Sequence, residues 1–197
     1  MSGFAGGRPE IAVGDRFTIR SVRGSEYQVL FLCFGEGQSG MYVRLDDGRI
    51  ARLDQERLRW DTYQDLPRDG EAVLRPGDEV LVECSSGTLR GTLLEPVREQ
   101  VAIRLPIGQD LRLPLGEVEE LYLLFKARDL KPGDRLILRS KSGNEYRGTI
   151  KGLTPDKRLL VDLRNGGEAN LRLSKLDLTS IQVPIPIALD RLARNGK

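Results

Sequence analysis

The sequence predicts an all-β chain of three consecutive five-stranded small barrels, and three observations carry that prediction. One phrase occurs three times, as IAVGDRFTIRSVRGSEYQ from Ile11, LRPGDEVLVECSSGTLRG from Leu74 and LKPGDRLILRSKSGNEYRG from Leu130; such self-similarity marks repeated structural units. Apolar residues alternate with polar ones in Phe17 and Ile19, Val80 and Val82, and Leu136 and Leu138, which is the period of a half-buried strand. Between these runs stand turn dipeptides, Asp47-Gly48 and Asn165-Gly166, expected as type I′ hairpin turns with positive φ at both residues.

Each unit opens on a Gly-Asp pair, Gly14-Asp15, Gly77-Asp78 or Gly133-Asp134, ten residues before a second glycine at Gly24, Gly87 or Gly143. Pro76 and Pro132 lead into the first strand of units two and three, whereas unit one has Val13, which predicts a looser start. The three aspartates follow a turn glycine and are expected to bond nearby backbone N–H groups. A long strand and a variable loop come next. Each unit then ends on a strand, tight turn, strand, short connector and strand, in VRLDDGRIARLDQERLRW from Val43, IRLPIGQDLRLPLGEVEELYL from Ile103 and VDLRNGGEANLRLSKLDLTSI from Val161. Leu81 and Ile137 interrupt the alternation on the outer face. Five short strands expose long edges unless the sheet curls on itself, and so small a core is marginal alone, so neighbouring units are expected to pack together.

The expected organisation is a flexible N-terminus over 1–10, barrels over 11–62, 74–125 and 126–182, a polar linker over 63–73 and a C-terminal arm over 183–197. Pro184 and Pro186 exclude a central strand for the arm; ALDRLARNGK is the best candidate for a short helix. Hydrophobic residues make up 39% and charged residues 30% of the 197, the balance of a folded chain. No apolar run reaches the roughly 20 residues that span a bilayer, and the N-terminus lacks an export pattern, so a cytoplasmic protein without a membrane partner is expected. There is no histidine, which removes the commonest general base and metal ligand. Cys33 and Cys84 lie in apolar strand-like text, supporting neither a disulfide framework nor a zinc site. No cofactor, metal or enzymatic activity is expected.

The Gly-Asp pair followed by alternating apolars, a glycine turn and then GTLRGTLL or GNEYRGTI resembles the SH3-like small barrels, a group that includes KOW-type, Tudor-type and Sm-like domains. The third unit is also similar to the C-terminal barrel of the bacterial ribosome maturation factor. The resemblance covers about 160 residues and implies the fold. Such barrels bind RNA, DNA, ribosomal surfaces or peptides. The arginine-glycine pair of an Sm signature is missing before the last strand, so a ring of the Sm kind is not implied.

Charge is unevenly distributed. Residues 11–60 hold eight basic and seven acidic side chains, 74–125 five and nine, and 126–182 thirteen and seven. Since phosphate neutralisation dominates nucleic-acid affinity, binding of RNA, DNA or a ribonucleoprotein surface is expected on unit three. Its candidates are Arg139, Lys141, Arg147, Lys151, Lys157, Arg158 and Arg172, with Tyr146 as a stacking residue. The competing reading is a protein-interaction or assembly adaptor, self-association included, using acidic unit two, Trp60 and Phe34, which stands in the glycine-rich FGEGQSG loop. Unit one gathers Phe17, Tyr27, Phe31, Phe34, Tyr42 and Trp60, enough for a methyl-lysine cage, although core packing explains most of them equally well.

Overall fold

A computed structural model describes residues 8–35, 40–67, 73–126 and 131–189. The described residues contain fifteen strands. In the first unit these are β1 (Arg16–Ser21), β2 (Glu26–Phe34), β3 (Gly40–Leu45), β4 (Ile50–Asp54) and β5 (Leu58–Leu66). The second unit has β6 (Glu79–Cys84), β7 (Gly87–Leu93), β8 (Gln100–Arg104), β9 (Asp110–Pro114) and β10 (Val118–Lys126). The third has β11 (Arg135–Ser140), β12 (Glu145–Leu153), β13 (Arg158–Leu163), β14 (Glu168–Arg172) and β15 (Leu176–Ile187). Short 3-10 turns at Gln55–Arg57, Leu115–Glu117 and Leu173–Lys175 join the fourth strand of each unit to its fifth. The expected terminal helix lies, from residue 190 on, outside the described residues. Among those described, no helix is long and apolar enough to cross a membrane.

Every unit repeats one antiparallel order across its sheet: fourth, third, second, first, fifth strand. No ladder among the described residues joins a fourth strand to its fifth, so no unit is closed by hydrogen bonds. The first unit keeps a five-stranded sheet. The second and third share one of ten strands, because β15 pairs with β11 on one side and with β10 on the other. The expectation of separate closed barrels is corrected at this seam.

The prolines explain how β15 can take that place. Its pairing with β11 ends at Gln182, and from Val183 to Ile187 the partner is β10 alone. Pro184 and Pro186 stand opposite Leu124 and Tyr122, two residues apart. Period two therefore turns both missing N–H groups toward the same, unpaired side. The strand is central as a whole and an edge where its prolines fall.

The cores follow the alternation. Phe17, Ile19, Val29, Phe31, Met41 and Val43 fill the first unit, and Leu136, Leu138, Ile150, Leu159 and Val161 the third. Between Val29 and Phe31, Leu30 points the other way and joins Leu32 and Tyr42 in the second unit's core with Val80, Val82, Leu121 and Leu123. Ile185 and Ile187, opposite Leu123 and Leu121, extend that core from the third unit. The two residues that break the outer-face pattern, Leu81 and Ile137, pack with Tyr122 and Leu124 at the seam.

The Gly-Asp phrase builds the same lead-in three times. Gly14, Gly77 and Gly133 have φ of 86°, 92° and 88°, and the following amide bonds the carbonyl three residues back in each, as in a type II turn. The carboxylates of Asp15, Asp78 and Asp134 accept from the backbone N–H of Ala12, Arg75 and Lys131 at 2.7, 2.7 and 2.9 Å. Val13 in place of proline leaves the first lead-in with the same bonds. The hairpin turns differ from expectation. At Asp47-Gly48 and Asn165-Gly166 only the glycine has positive φ. Gly48 N–H bonds Leu45 C=O while Leu45 N–H bonds Arg49 C=O, with the same pair of bonds around Gly166; this is a type I turn with a glycine bulge.

Candidate nucleic-acid interface

The third unit's candidate residues separate into two groups. The first is neutralised where it stands. Arg139 and Arg147 both hold Glu145, at 3.3 and 2.8 Å. Burial pushes the Glu145 carboxyl up, but these two guanidinium groups hold it below its usual range. Lys151 bonds Glu168 and lies 3.4 Å from Asp162, and these carboxylates raise its pKa, Glu168 foremost. Arg147 lines a cleft of about 420 Å³ at the seam, and Arg139 lines a different one beside Glu79 and Arg90. Tyr146 is half-buried, stands opposite Leu138 and packs against the third core.

The second group converges. Leu173 N–H bonds the Lys157 carbonyl at 3.1 Å, and Lys141 N–H bonds the Lys175 carbonyl at 2.8 Å. The loop before β13 and the turn after β11 are thus tied to opposite ends of the 173–175 turn. A 3-10 rise of about 2 Å per residue keeps these anchors well inside the ~8 Å Debye length of physiological salt. Arg158 and Arg172 stand directly opposite each other on β13 and β14. Lys141, Lys157, Arg172 and Lys175 are exposed and make no salt bridge with any described residue. Two carboxylates lie nearby, both occupied. Asp156 accepts from Thr154 Oγ1 at 2.5 Å and Arg158 Nε at 2.7 Å, and the Thr154 bond leads in holding its pKa down. Asp177 is held down chiefly by the Thr179 hydroxyl, 2.6 Å away.

The same scaffold recurs in the second unit with other charges. There Leu115 N–H bonds the Glu99 carbonyl at 2.9 Å and Gln100 stands opposite Pro114. Glu99, Gln100, Pro114 and Glu117 therefore occupy the places of Lys157, Arg158, Arg172 and Lys175. Lys175 escaped the sequence reading; its signal was its position beside the last strand, equivalent to Arg57, whose carbonyl accepts from Val22 N–H at 2.8 Å.

The first unit's candidates are mostly built into its packing. Phe17, Phe31 and Tyr42 are buried. Trp60 is half-buried against the first core beneath Arg8, whose guanidinium carbon lies 5.8 Å from the ring centre. Phe34 is 38% exposed and stacks on Phe31 with ring centres 4.7 Å apart; the loop residues 36–39 beyond it lie outside those described. Burial pushes the Cys33 thiol up to about 12, far from a reactive thiolate.

Two arginines that the sequence reading passed over join the units. Arg44, 3% exposed, places Nη2 2.7 Å from Asp78 Oδ2 and Nη1 3.2 Å from Oδ1, and also bonds the carbonyls of Val73 and Gly48. Arg52 Nη1 lies 2.5 and 2.6 Å from the two oxygens of Asp134, which is 4% exposed. The repeated lead-in carboxylates of units two and three are the sockets. Comparison of the chain with protein-family models and with curated protein sequences finds no match.

Proposed function

We propose that the chain is a non-enzymatic binding protein of three SH3-like units, and that its third unit takes single-stranded nucleic acid, RNA or the RNA of a ribonucleoprotein, along the ridge of Lys141, Lys157, Arg158, Arg172 and Lys175. Support for SH3-like units comes from the repeated strand order and from the 3-10 turn between fourth and fifth strands in all three. One observation carries the nucleic-acid reading: on one backbone scaffold, cations replace the Glu, Gln, Pro and Glu of the second unit. The fold therefore does not need positive charge there. Like charges directly opposite on neighbouring strands are destabilising; Asp156 offsets Arg158, and a phosphate laid against the exposed Arg172 would supply the counter-charge that Arg172 lacks among the described residues.

The test is fluorescence anisotropy with a labelled oligouridine of about twelve nucleotides, within the site size of one small barrel. Saturable binding is expected at low salt. With four phosphate contacts, from Lys141, Lys157, Arg172 and Lys175, log K should fall with log salt at a slope of about −2.8. The Lys157→Glu/Arg172→Glu double variant should weaken binding at least about tenfold, while Lys151→Glu, already neutralised, should change it little. Failure of the intact chain to bind at low salt would end this reading.

A further inference from the structure

A groove of about 1170 Å³ runs between the outer face of the first unit and the seam of the other two. Its floor is apolar, with Tyr42, Phe125, Ile181 and Val183, and with Leu178, which is 50% exposed. One wall is β4. Arg49, Ile50, Ala51, Arg52 and Asp54 all line the groove, although neighbours on a strand point to opposite faces. What the groove meets is therefore the edge of the strand. Among the described residues that edge is unpaired: β4 ends the order of its sheet and its ladder is with β3 alone. An open row of backbone N–H and C=O groups is a template for one more strand.

The rim fixes the chemistry of that strand. Arg49 precedes β4 and is paired with Asp47 at 2.6 Å; Arg57 follows its far end, with Lys126 and Lys131 across the groove. Arg57 and Lys131 share the single carboxylate of Asp54, at 3.7 and 3.6 Å, and Lys126 has no salt bridge among the described residues. Asp134 is engaged by Arg52. Among the described residues, five cations, Arg49, Arg52, Arg57, Lys126 and Lys131, meet three carboxylates, Asp47, Asp54 and Asp134, around an apolar floor. A nucleic acid would present a uniform line of phosphates and needs open aromatic faces for its bases; here Tyr42 is buried and meets Phe125 edge-on, with ring centres 5.8 Å apart. We infer that the groove is a docking site for an extended peptide of alternating acidic and apolar residues, which adds to β4 as a sixth strand.

The test uses a fluorescein-labelled peptide of about eight residues, alternating glutamate and valine, long enough to cover a strand of this kind. The full-length protein should bind it saturably, and a lysine–valine peptide should not bind. Arg57→Glu/Lys131→Glu should weaken the glutamate peptide about tenfold, as should Leu178→Asn, which removes apolar floor and leaves the charge unchanged; thermal melting establishes that each variant is folded. N-methylation of alternate peptide amides in the two possible phases should abolish binding in one phase alone, as strand addition requires. No binding at about 100 μM peptide, equal loss in both methylation phases, or retention of full affinity in the groove variants would overturn the inference. Oligouridine binding lost on the groove substitutions and kept on the Lys157→Glu/Arg172→Glu ridge substitutions would also overturn it, by assigning the groove to nucleic acid.

Discussion

At the residue scale, the repeated motif positions carry strict spatial demands that only some of their letters reveal. Gly148 sits where β12 crosses β13, and a Cβ there would lie 2.1 Å from the Asp162 carbonyl oxygen and 2.7 Å from Val161 Cγ1. Gly152, four residues along the same strand, has nothing within 4 Å of its Cβ position. Gly148→Ala should therefore cost about 1–3 kcal/mol through overpacking, while Gly152→Ala should be close to neutral; urea denaturation of both separates them. The Arg-Gly pair in RGTL and RGTI pointed to this site in the sequence, because glycine within a strand marks a close approach. The hairpin dipeptides also named their turns, but Asp47 and Asn165 do not share the positive φ of the glycines that follow. Turn location was legible; turn type depended on how many residues the flanking strands leave unpaired. The role of Tyr146 depended on which face of β12 the third core would take, and Lys175 became part of the ridge only through bonds made by the turn beside it.

At the scale of the element, β15 decides how the second and third units are joined. Its prolines argued against a central strand, and that rule held for each residue while failing for the strand, since β11 stops at Gln182 before the proline segment begins. No local pattern in IQVPIPI announces that β10 will be its partner. Leu81 and Ile137 interrupted the alternation on the outer face, and that face is buried at the seam. Ile185, fully buried against the second core, lies in the last strand of the third unit, past the boundary at 182 expected from the sequence. Ile185→Ala should cost about 2–5 kcal/mol. Hydrogen exchange should speed up in β6 and β10 as well as β11, whereas an arm that merely covered the surface would leave β6 and β10 protected.

At the scale of the whole molecule, the first unit keeps its own sheet but not its own interior. Leu30, Leu32 and Tyr42 complete the second core, and Arg44 and Arg52 enter the other two units. Removing one member of a buried ion pair costs about 3–5 kcal/mol, because its partner is left uncompensated. Asp78→Ala and Asp134→Ala should each lower the melting temperature by that mechanism. Adding Arg44→Met to the first or Arg52→Met to the second should recover part of the loss. Calorimetry of the four proteins checks this; equal damage in single and double variants would assign the aspartates to their turns alone. The repeat, its five strands in chain order and the charge contrast between the second and third units were legible in the sequence. Their mutual docking was not, since it joins positions 34 and 82 residues apart.

The lead-in aspartates have a broader consequence. Each carboxylate steadies its own turn through one short backbone bond, and two of the three, Asp78 and Asp134, also receive a guanidinium from the first unit. Duplicating such a repeat copies a finished mortise along with the fold, so lengthening the array would require only a tenon, one arginine on the outward side of a neighbouring hairpin.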